Sequence, residues 1–271
     1  MKLNWIFFSF LIIFAQGVIA AKVDTVNTHS EAMNKDIKAV VITPDNAGQQ
    51  ALPVLYLLHG YGGNYADWIK KVPALSQNAD QYHLIIVCPD GAIGSWYWDS
   101  PIDKGFRYET YVATELVNWV DAHYKTRANR SGRAITGLSM GGQGALYLAF
   151  RHQDVFGAAG SMSGGVDIRP FPNNWDMAKR LGSYAENPAL WESYTVINQI
   201  HLLTPNSLVL TFDCGTGDFF YGVNESLHAK LLERNIPHDY STRPGAHTWE
   251  YWSNSITFQL VFFSHFFNQA G

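Results

Sequence analysis

The chain has 271 residues, of which 47% are hydrophobic, 14% aromatic and 15% charged, and its formal net charge is −4. This composition is too apolar for a disordered chain and, outside one N-terminal stretch, too polar for a protein with several membrane spans. Because a nucleic-acid-binding surface requires clustered Lys and Arg, the negative net charge also argues against nucleic acid as a partner.

The first twenty residues have the pattern of a secretory signal peptide. Lys2 precedes the apolar run Trp5–Ala15, and Ala20 supplies a small residue at a cleavage point. The run has about half of the roughly 20 residues that span a bilayer. We therefore predict cleavage after Ala20, with Ala21 as the nearby alternative, and export to the periplasm or out of the cell without stable membrane insertion. An uncleaved N-terminal anchor is the competing interpretation.

After that stretch, apolar runs alternate with helical patterns. We predict strands at Asp36–Thr43, Val54–His59, Leu84–Cys88, Ala134–Thr136, Ala158–Ser161, Ser207–Phe212 and Asp239–Arg243. Apolar residues spaced near 3.6 predict helices at Tyr111–Tyr124, Gly144–Phe150 and Glu225–Arg234. The segment Phe171–Leu203 breaks the alternation and is predicted as a mixed, partly helical insertion. This order is typical of a mostly parallel sheet flanked by helices, and we predict one α/β domain, Ala21–Gly271.

The chain has two cysteines, each near the end of a predicted strand. A disulfide between Cys88 and Cys214 would need their Cα atoms within about 7 Å, and the predicted topology puts other strands between them. We therefore predict two buried free thiols. The sequence contains no Cys-x-x-Cys or His-Glu-x-x-His spacing, so we predict no metal site.

The clearest chemical motif is Gly-Leu-Ser-Met-Gly at 137–141. Gly-x-Ser-x-Gly is a weak pattern alone, but here a predicted strand leads into it and a predicted helix follows, as a strained nucleophile turn requires. We predict that Ser139 is a catalytic nucleophile. Ser161 and Ser163 lie in a similar run, but neither has a glycine two residues before it, so that run is interpreted as a loop.

A serine hydroxyl needs a base and a carboxylate, which in this architecture follow it in the order acid, then histidine. His247 lies on a loop just after the last predicted strand, whereas the other C-terminal histidines fall within or beside predicted regular elements. Two aspartates are candidates for the carboxylate that bonds to His247. We predict Asp218, which lies beyond two glycines, over Asp213, which is expected to be structural and to accept loop N–H groups.

The oxyanion of an acyl-transfer transition state needs N–H donors. The N–H of Met140, directly after the nucleophile, is one candidate. The glycine-rich loop after the strand Val54–His59 lets its backbone approach the substrate, and the N–H of Tyr61 is our second candidate. We expect His59 to stabilise this loop and not to act as a second base.

Five blocks of the sequence resemble the putative esterase family of α/β-hydrolases, in that family's order. They are residues 54–63 with Asp67-Trp68, then 94–101, 137–142, 214–218 and 245–252. The family includes feruloyl and acetylxylan esterases, tributyrin esterases, S-formylglutathione hydrolases and mycolyltransferases. The resemblance covers nearly the whole mature chain, implies a single α/β-hydrolase domain and a cofactor-free serine esterase, and supports Ser139, Asp218, His247, Tyr61 and Met140 in the roles above.

A polysaccharide side-chain esterase is the branch that best suits an exported chain. The expected substrate is an acylated oligosaccharide or a phenolic ester carrying feruloyl or acetyl groups. Trp96 and Trp98 could stack on a sugar or phenolic ring, and Trp249 could shape the acyl pocket, although packing against the sheet is the alternative for each Trp. The insertion is expected to form a partial lid or a pocket wall.

The sequence does not exclude several other functions. An acyltransferase would use the same three residues with an alcohol acceptor in place of water. A short-chain acyl esterase of the tributyrin or S-formylglutathione type, a non-catalytic carbohydrate-binding protein and a peptidase are further alternatives. The oligomeric state is not indicated by the sequence.

Overall fold

The structure is a computed structural model that describes residues 21–45 and 47–269. The predicted signal peptide, residues 1–20, lies outside the described residues, so cleavage and export stay predictions. Within the described ranges, none of the helices is both long and apolar enough to cross a membrane.

One sheet forms the centre of the fold, and eight strands of the described chain belong to it, in the order β1-β2-β4-β3-β5-β6-β7-β8. Their bounds are β1 Lys22–Ser30, β2 Lys35–Thr43, β3 Val54–Leu58, β4 Ile85–Pro89, β5 Arg133–Gly137, β6 Ala158–Met162, β7 Val209–Gly215 and β8 Asp239–Arg243. β1 pairs antiparallel with β2, and β2 with β4, whereas the remaining neighbours pair in parallel.

Helices cover both faces of this sheet. They are α1 Asp67–Lys71, α2 Leu75–Tyr82, α3 Tyr108–Thr110, which continues through a π-helical turn into α4 Val117–His123, α5 Met140–Arg151, α6 Met177–Leu181, α7 Pro188–Tyr194, α8 Tyr221–Glu233 and α9 Trp249–Gln269. Along β3, Val54 and Tyr56 belong to the core beneath α5 and α8, whereas Leu55 and Leu57 belong to the core beneath α2 and α9. A strand buried on both faces therefore carries an uninterrupted apolar run.

The predicted fold class is confirmed, and each predicted strand overlaps an observed one. β1 was not predicted, because at the sheet edge most of its side chains are exposed and its apolar residues do not form a run. The short helices α1 and α2 were also not predicted. The predicted insertion follows β6, the sixth strand, and contains α6, α7 and two 3₁₀ turns.

The two cysteines are the second-to-last residues of β4 and β7, which are separated by β3, β5 and β6. Both are buried and unpaired, as predicted. Burial in apolar surroundings raises the pKa of both thiols, which makes them inert packing groups.

Candidate active site

Ser139 lies in a tight turn between β5 and α5, in a strained backbone conformation. Its φ of 54° and ψ of −117° are rare for a residue with a side chain. The flanking glycines are required by close packing. A Cβ on Gly137 would lie 2.7 Å from the carbonyl oxygen of Gly141, and a Cβ on Gly141 would lie 2.6 Å from that of Leu58. The turn therefore holds the Ser139 side chain above the sheet, in the predicted strand–turn–helix context.

The loops after β7 and β8 bring a carboxylate and an imidazole to this serine. The His247 Nε2 lies 2.9 Å from the Ser139 Oγ, and the His247 Nδ1 lies 2.8 Å from the Asp218 Oδ2. The Asp218 side chain is fully buried, and its Oδ1 accepts a hydrogen bond of 2.8 Å from the Phe220 N–H. Because the carboxylate can only accept, Nδ1 carries the imidazole proton and Nε2 is free to accept one from Ser139.

Asp213, the other candidate carboxylate, is hydrogen-bonded to α9. It accepts hydrogen bonds from the Tyr251 hydroxyl at 2.9 Å, from the Ser255 hydroxyl at 2.6 Å and from the Gln259 amide at 2.9 Å. The expectation of loop N–H partners is therefore wrong, because side chains of α9 fill that place. Burial raises the pKa of Asp213 above its usual range.

Two backbone N–H groups next to Ser139 are available to an anionic oxygen. Across residues 21–45 and 47–269, neither the Tyr61 N–H nor the Met140 N–H donates to a protein acceptor. The Tyr61 loop approaches the nucleophile closely, since a Cβ on Gly60 would lie 3.4 Å from the Ser139 Cβ. The role of both N–H groups in binding a substrate oxygen stays a prediction.

His59 stabilises the loop that carries Tyr61 through two hydrogen bonds to backbone groups. Its Nδ1 donates to the Gly60 carbonyl at 2.8 Å, and its Nε2 accepts from the Gly91 N–H at 2.7 Å. Complete burial lowers the pKa of His59, so the ring stays neutral and keeps one donor and one acceptor. Its contacts are those of a loop stabiliser and not of a second base.

A cavity of about 270 Å³ opens above Ser139. Half of its lining residues carry an aromatic ring, and the lining is formed by Gly60, Tyr61, Gly62, Gly63, Asp67, Leu138, Ser139, Trp175, Phe219, His247, Trp249 and Trp252. The Phe219 ring centre lies 4.3 Å from that of His247 and 5.6 Å from that of Trp175, on which it stacks. Trp249 is at this wall, where the sequence placed a substrate contact.

Trp96 and Trp98 are not at the wall, which corrects the expectation that they contact substrate. Their exposed fractions are 1% and 0%, and their rings stack on each other with centres 5.5 Å apart. The Trp96 Nε1 donates to the Trp175 carbonyl at 3.0 Å. Trp96 therefore supports Trp175 from within the core, and the half-buried Trp175 supplies the ring at the cavity wall.

Trp175 and Phe219 are wall residues that the sequence did not single out. Phe219 directly follows Asp218, so its position next to the acid was a usable signal. Trp175 gave no local signal, because it lies in the irregular insertion and reaches the cavity through a turn in which Trp175 and Asp176 have φ values of 48° and 59°. The insertion thus provides a cavity wall.

The described side chains offer no evident metal site. No group of three or more His, Cys, Asp or Glu side chains in residues 21–45 and 47–269 is arranged to hold a metal ion. The chemistry that this arrangement can support is nucleophilic attack by a serine activated by a histidine, with an oxyanion bound by backbone N–H groups.

The chain is similar in sequence to a family of esterases and to individual enzymes that act on esters or transfer acyl groups. Residues 30–263 match the family model described as "Putative esterase". The chain is 25% identical over 260 residues to an acetyl esterase of Caldicellulosiruptor saccharolyticus, covering 85% of this chain and 94% of that protein. It is 29% identical over 273 residues to a diacylglycerol acyltransferase/mycolyltransferase of Mycobacterium tuberculosis, covering 86% and 78%.

Two further similarities differ in how much of the relative they cover. An esterase of Mycobacterium tuberculosis is 35% identical over 134 residues, but this match spans 48% of this chain and 29% of that longer protein. Among solved structures, a ferulic acid esterase superposes with a TM-score of 0.78 at 28% identity, covering 91% of this chain and 98% of the other.

Proposed function

The chain belongs to the putative esterase family, and from this membership and the site geometry we propose that it is a serine carboxylesterase acting through Ser139, His247 and Asp218. The observation that carries the proposal is the continuous hydrogen-bond chain from the buried Asp218 carboxylate through His247 to the Ser139 hydroxyl, at the floor of an open cavity.

In the proposed reaction, the His247 Nε2 accepts the Ser139 proton as the serine oxygen attacks the ester carbonyl carbon. Asp218 stabilises the imidazolium, and the N–H groups of Tyr61 and Met140 bind the tetrahedral oxyanion. His247 then protonates the leaving alcohol, which leaves an acyl-serine. A water molecule, deprotonated by the same histidine, attacks this intermediate and releases the acid.

We propose feruloyl or acetyl esters of plant polysaccharides as the substrates. Aromatic faces at the cavity wall, from Tyr61, Trp175, Phe219 and Trp249, can stack on sugar or phenolic rings with little loss of side-chain entropy. The described lining includes Asp67 but no Lys or Arg, which favours neutral substrates over anionic ones. The similarity to a ferulic acid esterase and to an acetyl esterase supports the same substrate class. Export to the periplasm or the medium is part of the proposal and depends on residues 1–20.

Acyl transfer to a sugar or another alcohol is a second candidate, favoured by the similarity to a mycolyltransferase. The cavity is open enough for either a water molecule or an alcohol to reach an acyl-serine. Product analysis with and without an acceptor sugar separates the two. A new ester that forms only with the acceptor, at the expense of free acid, would identify a transferase.

A panel of esters tests the proposed function. We expect hydrolysis of methyl ferulate and of acetylated xylan to exceed that of 4-nitrophenyl butyrate, measured as initial rates with the Ser139→Ala variant as control. A preference for methyl ferulate over acetyl esters would identify an aromatic acyl pocket. A preference for butyrate over both polysaccharide-type esters would instead favour the short-chain acyl esterase, and no hydrolysis of any ester would reject the esterase.

Trp175→Ala tests the aromatic wall. We expect it to raise KM for methyl ferulate about tenfold, because an aromatic ring pair contributes up to about 1.5 kcal/mol. The KM for 4-nitrophenyl acetate, which has a smaller acyl group, should change much less. Trp175→Phe keeps a ring and serves as the matched control. Equal changes for both esters would show that Trp175 shapes the site without contacting the acyl group.

A further inference from the structure

The strand β8 forms one open edge of the sheet. Its residues Asp239–Arg243 pair in parallel with residues of β7 on one side, and no strand of the described chain pairs with them on the other. Side chains along the strand are exposed or half-buried. Such an edge presents unpaired N–H and C=O groups, to which another strand can add.

The directions of these backbone groups follow from one hydrogen bond. The Arg243 carbonyl accepts from the Thr216 N–H at 2.9 Å and therefore points towards β7. Because successive residues of a strand alternate in direction, Tyr240 and Thr242 direct their N–H and C=O groups to the open edge. Pro237 and Pro244 bracket the strand and confine any added strand to its five residues.

The strand is complementary to itself in one antiparallel register. Hydrogen-bonded residues of an antiparallel pair lie directly opposite each other. Within the five residues of β8, both outward residues bond when Tyr240 of one copy faces Thr242 of the other. This register places Ser241 opposite Ser241 on a two-fold axis. It also places Asp239 opposite Arg243 of the second copy, twice and on the face where the Arg243 guanidinium lies 3.7 Å from the Asp213 Oδ1 of its own copy. Opposite charges in such cross-strand pairs are stabilising, whereas an edge with charges of one sign would repel its copy.

The helix α9 carries exposed apolar side chains on the face of the sheet that Arg243 also occupies. Phe258 and Val261 of α9 are 50% and 45% exposed. The Phe258 ring centre lies 4.1 Å from the Arg243 guanidinium, so this part of α9 lies on the same face as that side chain. A groove of about 520 Å³ separates α9 from β7 and β8. A two-fold axis through Ser241, perpendicular to the sheet, places the two α9 helices on the same face of the joined sheet.

We propose that two copies of the chain associate through antiparallel β8–β8 pairing centred on Ser241, which joins two eight-stranded sheets into one. A second copy fits this edge because the outward backbone groups, the five-residue length of β8 and the order of its charged residues all agree with one antiparallel register. The association is independent of ester chemistry, and the proposed catalytic residues do not belong to the strand.

Sedimentation equilibrium of the purified full chain over a wide concentration range tests the proposal. We expect a monomer–dimer equilibrium. Asp239→Arg turns both Asp–Arg pairs into Arg–Arg pairs and should raise the dimer dissociation constant roughly tenfold. Glu233→Arg makes the same charge change at an exposed position at the end of α8 and should leave the constant unchanged. Thermal unfolding of each variant, followed by circular dichroism, confirms that it is folded.

Cysteine cross-linking tests the register itself. Ser241→Cys should form an intermolecular disulfide under mild oxidation, because residue 241 faces itself across the axis. Thr242→Cys should not, because residue 242 faces residue 240. The native cysteines are both buried, so their background reaction is low. A monomer at every concentration, a dimer that Asp239→Arg leaves unchanged, or equal cross-linking at 241 and 242 would each overturn the proposal. If Asp239→Arg fails to fold, Thr242→Pro, which removes an outward N–H, should dissociate the dimer instead.

Discussion

Replacement of Ser139 by alanine is expected to lower kcat by roughly 10⁶-fold on every ester that the wild-type protein hydrolyses. The hydroxyl is the group that attacks the carbonyl carbon in the proposed reaction, and its oxygen lies 2.9 Å from the His247 Nε2. The backbone of the turn should persist. The Ser139 N–H donates to the Met162 carbonyl at 2.9 Å, and the Ser139 carbonyl accepts from the Gln143 N–H at 3.0 Å. The measurement is kcat with thermal unfolding followed by circular dichroism.

Ser163→Ala is the matched control for this experiment. Ser163 is fully buried, also has a positive φ, of 50°, and lies in the second serine–glycine run of the sequence. We expect it to keep the wild-type rate and to be labelled by a fluorophosphonate probe, whereas Ser139→Ala should lose both the activity and the adduct. Full activity of Ser139→Ala, or an adduct mapped to another serine, would show that the nucleophile is misassigned.

Asp218→Asn is expected to lower kcat by about 10⁴-fold without unfolding the protein. The Asp218 carboxylate accepts the Nδ1 proton of His247 at 2.8 Å and so leaves Nε2 unprotonated towards Ser139. An asparagine amide can donate to Nδ1 instead, which places the proton on Nε2 and removes the base. The effect should therefore appear in kcat more than in KM, as measured by steady-state kinetics on a soluble ester.

Asp213→Asn separates catalysis from stability. Asp213 is as buried as Asp218, but hydroxyl and amide groups of α9 donate to its oxygens. We expect a loss of about 1–3 kcal/mol in the free energy of unfolding, from urea titration, because an amide nitrogen would face those donors. The kcat of the folded fraction should stay at the wild-type value. The opposite pattern, with Asp213→Asn inactive and Asp218→Asn active, would reassign the acid.

Short-range patterns in the sequence determined much of the architecture and the central residues of the site. The continuous apolar runs at β3 and β4 predicted strands buried on both faces, because only apolar side chains suit a strand covered by helices. Likewise, the two glycines around Ser139 predicted a tight turn, since any side chain at Gly137 or Gly141 would collide with neighbouring backbone. The choice of Asp218 over Asp213 followed from its place on a loop beyond the strand, and the structure brings Asp218 to His247.

Tertiary packing decided what surrounds those residues. Trp96 and Trp98 lie in a loop. In the sequence alone, aromatic residues at such positions are equally compatible with a binding surface and with core packing. The fold buries both because the insertion after β6 covers them, and it brings Trp175, 79 positions away from Trp96 in the chain, to the cavity wall. Most side chains of β1 are exposed and its apolar residues form no run. Its pairing with β2 was therefore not predicted and is seen only in the structure. Local sequence therefore determined where the chain turns and which residues are candidates for catalysis, whereas contacts between distant segments determined which rings line the cavity.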